Sequence, residues 1–281
     1  MSSMRTGKLS CKALALTVLV AATSVAYAAR DDFPTCYGLL GGGLTPEPEQ
    51  RELFVVIDQT LPFDVNLKRH VHNKIHEYLQ PGDRITVLTF SAYAEGRYAQ
   101  MPLTGQMDYL LDDDTRYNTG KPSLRRFDRC MQSQNAVVRS KIDQTIKTAF
   151  EEASSELPKT ELMGSLVNFG RGVISLSQSP EKVVLIVSDM MENSNAVSFY
   201  GANGVLNFDI EQTLQKAENA DLISDMQGAS VHIIGAGISG NDRYMSQTVM
   251  AKMQNFWEGY FQRAGAELTG WGQPQLFGPL R

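Results

Sequence analysis

Two continuous apolar runs constrain the fold of this chain more than any other feature. Residues 53–58 read LFVVID and residues 183–189 read VVLIVSD, and neither run alternates apolar with polar side chains. A strand buried on both faces has this pattern, because a strand with one solvated face alternates. Such strands lie inside parallel sheets whose two faces are covered by helices. The two runs therefore predict a mainly parallel sheet at the centre of an α/β domain.

Extended and helical segments alternate along the chain around these two strands. Further strands are predicted at 84–90, at 96–103 as an edge strand, and from Ser230 in SVHIIGAG. Residues 105–135 interrupt the pattern with an acidic and then basic insertion after the edge strand. The alternation predicts helices on both faces of the sheet and a site at the carboxyl ends of its strands. The predicted helices span roughly 67–79, 137–152, 162–174, 210–220 and 244–263.

Each of the two apolar strands ends in an aspartate, Asp58 in the first and Asp189 in the second. Packing does not require a carboxylate at the end of a strand that is buried on both faces. One interpretation is that each aspartate caps the following helix or turn through backbone amides. The other is that both strands are central, so that the two acids meet in one crevice. There, with nearby hydroxyls, they would suit Mg²⁺, Mn²⁺ or Ca²⁺ rather than zinc.

The order of these elements and three short motifs resemble a von Willebrand factor A domain over roughly residues 50–270. The motifs are the D-x-T formed by Asp58 and Thr60, Thr160 in the loop PKTEL, and SDMMENS, which contains Asp189. In that family a metal-ion-dependent adhesion site contains D-x-S-x-S, a distant Thr and a distant Asp. Its cation takes a last ligand from a carboxylate of the partner. The resemblance implies that these four residues are metal ligands for Mg²⁺, or for Mn²⁺ or Ca²⁺.

The resemblance also implies a Rossmann-like, doubly wound, mainly parallel six-stranded sheet, with helices on both faces and an insertion after the edge strand. Two positions depart from the family's pattern. Pro62 stands where the first motif has its third ligand, and proline has no side-chain oxygen. Met190 stands where glycine is usual after the last aspartate. Because ligand number sets affinity for these cations, the first departure leaves a weak site or no site as alternatives.

The stretch VHIIGAGISG contains Gly235, Gly237 and Gly240 in the spacing G-x-G-x-x-G, which is typical of a dinucleotide-binding turn. The context does not match that function. Polar residues follow Gly240 where a helix should start, and the remaining strands of a nucleotide-binding domain have no sequence to form them. We therefore expect a buried strand that enters a Gly-rich turn, and no dinucleotide.

The first 28 residues have the basic, apolar and small-residue order of a secretory signal peptide, with cleavage expected after Ala28. An uncleaved anchor is the alternative; after cleavage we expect no membrane span. Removal of Arg5, Lys8 and Lys12 changes the formal net charge from −5 to −8, which argues against a nucleic-acid partner. The chain has no N-x-S/T sequon, so a bacterial periplasm is favoured over a eukaryotic secretory route.

Beyond the signal peptide we expect an extended lead-in at 29–50, one domain at 51–270 and a tail at 271–281. An oxidising compartment makes a disulfide between Cys36 and Cys130 plausible, and two unpaired thiols are the alternative. Such a bond would close a long loop and stabilise the protein by roughly 4 to 5 kcal/mol.

Three other groups of residues suggest sites only weakly. His72 and His76 are spaced i, i+4 with His70 nearby, but the glutamate of a metalloprotease motif is absent, so a solvated helix face is favoured over zinc. The acidic run 112–114 lacks the glycine and late glutamate of a calcium loop, and a solvated loop is favoured. The aromatic residues of the last helix fit a core better than a ligand pocket. No Ser/His/Asp or Cys/His arrangement is defensible, and His232 is expected to be a core histidine.

These features favour an exported, non-enzymatic protein-interaction or adhesion module. It would bind an acidic group of a partner protein through a divalent cation, as an accessory to an envelope assembly of the pilus, secretion or conjugation type. The alternative is a metal-dependent hydrolase that uses Asp58 and Asp189 with a metal-bound water. That reaction needs a general base, for which the adjacent loops offer only Asp64, Glu161 and Glu192.

Overall fold

A computed structural model of the 281-residue chain describes residues 30–91, 99–154, 161–201, 204–205, 207–239 and 243–281. The long strands are β1 (Arg51–Asp58), β2 (Arg84–Phe90), β3 (Ala99–Gln106), β4 (Glu181–Val187), β7 (Ser230–Ile234) and β10 (Glu267–Trp271). The two-residue strands β5 (Tyr200–Gly201), β6 (Gly204–Val205), β8 (Ile238–Ser239) and β9 (Arg243–Tyr244) form two small hairpins. The helices are α1 (Val65–Tyr78), α2 (Asp113–Asn118), α3 (Lys121–Glu151), α4 (Leu162–Gly172), α5 (Ile210–Asn219) and α6 (Gln247–Arg263).

The six long strands form one sheet in the order β10-β7-β4-β1-β2-β3. All neighbours are parallel except β2 and β3, which pair antiparallel at one edge. The chain builds outward from β1 to β2 and β3 on one side, and from β4 to β7 and β10 on the other. The strand order therefore reverses between β1 and β4, which is where doubly wound sheets bind ligands. The doubly wound, mainly parallel six-stranded fold predicted from the sequence is confirmed.

Both faces of the sheet are covered, which accounts for the continuous apolar runs. On β1, Phe54 and Val56 join a core formed with α4, α5 and α6. Leu53, Val55 and Ile57 join a second core formed with α1 and α3. Because alternate side chains enter different cores, the positions from Leu53 to Ile57 are all apolar. The aromatic residues of α6 are buried core residues, as expected: Phe256, Trp257, Tyr260 and Phe261.

The insertion is helical where the sequence pattern predicted no helix. Helix α3 begins at Lys121 instead of near Val137, and Asp112 caps the short α2 instead of lying in a solvated loop. The first half of α3 carries a short apolar stripe of Leu124, Phe127 and Met131, which packs on a small cluster with Cys36 and Tyr37. A stripe this short is a weak helical signal in a sequence.

The lead-in and the chain end are both attached to the domain. Cys36 and Cys130 form a disulfide between the lead-in and α3. Leu276 and Leu280 are buried in the core beside α1, so the end of the chain packs on the domain. Strand β10, which the sequence pattern did not locate, is half exposed at the edge. Within the described residues, no helix has both the length and the hydropathy needed to cross a membrane.

Candidate metal centre

Asp58 ends β1 at the reversal point of the sheet and is fully buried. Its Oδ1 accepts hydrogen bonds from the backbone amide of Thr60 at 2.9 Å and from Thr60 Oγ1 at 2.7 Å. Its Oδ2 accepts from Ser188 Oγ at 2.7 Å. Hydroxyls from both flanking loops therefore fix the orientation of this carboxylate. Burial raises the pKa of Asp58, and these hydrogen bonds partly offset the effect.

Asp189 lies two residues beyond β4, on the strand adjacent to β1. Its Oδ1 accepts from the backbone amide of Met191 at 2.9 Å, which forms a tight turn around the carboxylate. Burial raises the pKa of Asp189, and the negative charge of Asp58 raises it further. The two aspartates therefore share one crevice, and each also accepts a backbone amide of the turn that follows it, so both features that the sequence left open are present.

The electrostatics of this crevice suit a cation. In the described part of the chain, the groups that act on the two carboxyls are hydroxyls, backbone amides and the other carboxyl, with no basic side chain among them. Two carboxylates this close repel each other when both are ionised. A divalent cation with oxygen ligands would remove that repulsion, and carboxylates with hydroxyls are the donor set that Mg²⁺, Mn²⁺ and Ca²⁺ prefer.

The remaining predicted ligands divide into one that joins the crevice and one outside the described residues. Thr60 is half-buried and directs its hydroxyl to Asp58. Thr160 lies outside the described residues. Pro62 is exposed, and the next polar residue, Asp64, caps α1 by accepting from the amides of Asn66 and Leu67. The position of the family's third ligand in the first motif therefore contributes no oxygen here.

Met190 has a left-handed backbone, with φ of 63°, directly after Asp189. This conformation costs a non-glycine residue about 1 kcal/mol, which explains the family's glycine at this position. Trp257 Nε1 donates to the carbonyl of Met190 at 3.0 Å, and Ser188 Oγ accepts from its amide at 3.0 Å. The Met190 side chain is fully buried. Packing and these two hydrogen bonds hold the turn that presents Asp189.

The Gly-rich turn after β7 supports this crevice. The amide of Gly237 donates to the carbonyl of Asp189 at 2.9 Å, and the amide of Gly235 donates to that of Pro274 at 2.9 Å. A side chain at Gly235, which has φ of +100°, would approach the carbonyl oxygen of Ser188 to 3.1 Å. The glycines are needed for a left-handed turn and a close approach of two loops. Both amides donate to carbonyls of the protein itself, and α6 begins only at Gln247, so this turn does not lead directly into a helix as a dinucleotide-binding turn does.

Two residues of this site, Ser188 and Tyr200, were not expected from the sequence, and Glu192 was expected only as a possible general base. Ser188 precedes Asp189 and was hidden by its place in the apolar run. Tyr200 is half exposed on the small hairpin, and burial together with the charges of Asp189 and Asp58 raises the pKa of its phenol to about 12. Glu192 is fully buried and accepts from the amide of Met163 at 2.8 Å, so it caps α4 from the loop after β4. Burial raises the pKa of Glu192 to about 7. Glu192 follows Asp189 within SDMMENS, but nothing in that motif indicates that its side chain reaches another helix.

The acids that a hydrolase would need are used elsewhere. Asp64 caps α1 and Glu192 caps α4. Glu161 is the N-cap residue of α4, and its side chain makes no capping hydrogen bond. No observation on these groups favours the hydrolytic alternative over binding.

Comparison with protein-family models and with curated proteins found no match. Solved structures similar to this chain include proximal thread matrix protein 1 from the mussel byssus, with 13% identity and a TM-score of 0.36 over 73% of this chain and 39% of that one. The pilus adhesin SpaC of Lactobacillus rhamnosus GG has 14% identity and a TM-score of 0.41 over 75% of this chain and 27% of that one. An aerotolerance-related membrane protein of Bacteroides fragilis has 11% identity and a TM-score of 0.35 over 79% and 92%.

A second structure of the byssus protein has a zinc-occupied MIDAS motif, with 13% identity and a TM-score of 0.37. The chain spans less than half the length of the byssus protein and of the pilus adhesin. At these identities and TM-scores, the comparisons carry no conclusion about activity. The architecture of the chain is a six-stranded, doubly wound sheet.

Proposed function

We propose that this protein is an exported, non-enzymatic interaction module that binds an acidic group of a partner protein through a divalent cation. Asp58, Thr60 and Asp189 would hold the cation, and Thr160 would complete the protein's ligand set. The partner's carboxylate would supply a further ligand. The assembly would lie in the cell envelope, most simply in a bacterial periplasm.

One observation carries this proposal: two carboxylates and two hydroxyls converge at the reversal point of the sheet without a basic side chain among the described residues. A purely structural site would neutralise at least one of the acids, because an unpaired buried charge is costly. Without a metal, a proton supplies it, since burial and the charge of Asp58 raise the pKa of Asp189 to about 8. A bound cation would displace that proton and neutralise both carboxylates. The missing ligand at Pro62 leaves the cation with open positions, which a partner carboxylate can fill.

Tyr200 supports a binding role for the crevice. Its phenol lies within electrostatic reach of both aspartates, yet 49% of the residue is exposed. An exposed aromatic residue beside a charged site is a common contact residue in protein interfaces. Tyr200 would contact the partner next to the cation.

The first experiment is thermal unfolding of the mature protein in chelator and in millimolar Mg²⁺, Mn²⁺ or Ca²⁺. A cation at 100 times its Kd stabilises the native state by about 2.7 kcal/mol, which corresponds to a rise in Tm of about 5 to 10 °C. Asp189→Ala should abolish the rise. Glu52→Gln, which changes a buried carboxylate at the opposite end of the sheet, should preserve it.

Capture from an envelope extract then tests the partner. We expect a protein that is retained in the effective cation, released by chelator and not retained by Asp189→Ala. Tyr200→Ala should weaken retention without changing the cation-dependent rise in Tm. If no cation raises the Tm of the parent protein, the metal-bridged mechanism is wrong.

A further inference from the structure

A second cluster of metal-ligating side chains lies where α1 packs on α3. His72, His76 and Asp143 each direct one ligand atom to a common point, and these atoms all lie within 4.8 Å of one another. Asp143 Oδ1 lies 2.9 Å from His72 Nε2 and 2.6 Å from His76 Nε2. The two histidines occupy successive turns of α1, and the aspartate comes from α3.

We propose that this cluster is a binding site for a transition-metal ion of borderline softness, and that Zn²⁺ fits its ligands best. Two imidazoles and one carboxylate are a frequent zinc ligand set, and the i, i+4 spacing places both imidazoles on one helix face. In a tetrahedral site with bonds of about 2.0–2.1 Å, the ligand atoms stand roughly 3.2–3.4 Å apart. The contacts to Asp143 are slightly shorter, so a small outward movement of the side chains would admit the ion.

The site is accessible and has room for a further ligand. The side chains of His72 and Asp143 are both 42% exposed, whereas that of His76 is 15% exposed. A surface groove of about 400 Å³ opens beside His72 and Asp143, between α1 and α3. Three protein ligands and an open fourth position are the arrangement in which zinc binds water or a group from another molecule.

The two imidazoles have different hydrogen-bond partners at Nδ1, and this difference affects how tightly each can bind a metal ion. His72 Nδ1 faces Asn73 Oδ1 at 3.4 Å, an acceptor that suits an Nδ1–H and leaves Nε2 free for a metal. His76 Nδ1 instead receives a short hydrogen bond from Arg139 Nη1. Arginine can only donate, so the proton of His76 is on Nε2, where it is donated to Asp143.

Metal binding at His76 Nε2 would move this proton to Nδ1, where it would oppose the Arg139 donor. Arg139 therefore weakens the site and must turn away, or exchange its partner, when the ion binds. Its other hydrogen bonds keep it near the histidine: it donates to Asn135 Oδ1 at 2.8 Å and to the carbonyls of His76 at 3.3 Å and Leu79 at 3.5 Å. Arg139→Gln places a carbonyl oxygen within reach of Nδ1–H and should tighten metal binding.

The test is calorimetric titration of the untagged protein with Zn²⁺, repeated with Co²⁺ to read tetrahedral coordination from its visible absorption. We expect one equivalent at this cluster. His72→Ala and Asp143→Asn should each weaken it at least about tenfold, and Arg139→Gln should tighten it by about tenfold, the size of effect seen when groups around a metal site change. Glu258→Gln, an exposed acid on α6 that does not line this groove, is the matched control and should change the affinity less than about twofold.

Asp189→Ala separates this site from the strand-end crevice. Zinc binding that survives Asp189→Ala and is lost in His72→Ala supports the cluster even if the strand-end crevice binds no cation. An equivalent lost in Asp189→Ala and retained in His72→Ala would place zinc at the strand ends and overturn the proposal. Absence of saturable binding in both the parent and Arg139→Gln would overturn it as well. Because His72 and Asp143 lie at the surface, we expect both variants to keep the parent Tm within about 2 °C.

Discussion

The carboxylates at the two ends of the central sheet have different charged neighbours. At the amino end, Glu52 accepts from Thr86 Oγ1 at 2.8 Å and from Ser177 Oγ at 2.6 Å, and Arg84 lies 3.6 Å away. At the carboxyl end, Asp58 and Asp189 have hydroxyls and amides around them but only each other as charged neighbours. Burial raises the pKa at both ends, yet a basic partner is present only at the first.

Asp108 extends the contrast. It follows β3 at the amino end, is buried, and accepts from the Cys36 amide at 2.5 Å and from Gln134 Nε2 at 2.8 Å. Thr35 Oγ1 donates to it at 3.0 Å. This carboxylate therefore joins the lead-in, the strand end and α3 beside the disulfide. The difference teaches that a single buried acid can be held by hydrogen bonds or by an ion pair inside the chain. Asp58 and Asp189 instead act on each other's charge, which makes them candidate ligands.

The largest expected loss of stability comes from removing the disulfide at the amino end of the sheet. Cys36→Ala with Cys130→Ala opens a loop of 94 residues and should cost about 4 kcal/mol, which lowers the Tm by about 10 °C. Reduced parent protein should unfold at a similar temperature. Because the disulfide lies at the amino end, the cation-dependent rise in Tm should persist. Loss of that rise would show that the two ends are not independent.

Paired alanine variants in chelator compare the two ends directly. Asp108→Ala leaves several buried donors without an acceptor and should cost about 3 kcal/mol. Asp189→Ala loses one amide hydrogen bond and relieves repulsion with Asp58, so it should cost less than about 1 kcal/mol. Urea unfolding measures both. Equal costs would mean that Asp189 is as structural as Asp108.

The smallest effect concerns pH. The pKa of Glu192 is about 7 in the folded protein, above its usual value, because of burial. The folded state therefore holds this proton more tightly than the unfolded chain, and stability present at low pH is lost as the pH rises through 7. Glu192 alone should lower the free energy of unfolding by on the order of 2 kcal/mol between pH 5 and 8. Asp189, whose pKa is raised to about 8, adds a loss of the same sign in chelator.

Glu192→Gln keeps an acceptor for the Met163 amide but removes the titrating group. Its free energy of unfolding in chelator should therefore change less between pH 5 and 8 than that of the parent. An equal pH dependence in both proteins would assign the effect to other groups.

Sequence patterns were enough to locate the helices and strands whose apolar side chains recur with the period of the backbone. The apolar runs located β1 and β4, and helical spacing located α1, α4 and α6 to within a few residues. The same reasoning failed for the start of α3 and for β10, because both lie at the periphery and bury too little apolar surface to set a pattern. The bounds 29–50, 51–270 and 271–281 stay predictions, as do the signal peptide and the metal ligands.

The sequence by itself determined the layered α/β architecture and the presence of an aspartate at the end of each of two buried strands, because a continuous apolar run indicates burial on both faces. Only the tertiary structure decided what surrounds those carboxylates. Ser188 and Tyr200 reach the crevice from different loops, and Asp143 reaches His72 and His76 from a helix about 70 positions away along the chain. Contacts of this kind depend on how separate elements pack, so they cannot be predicted from local periodicity.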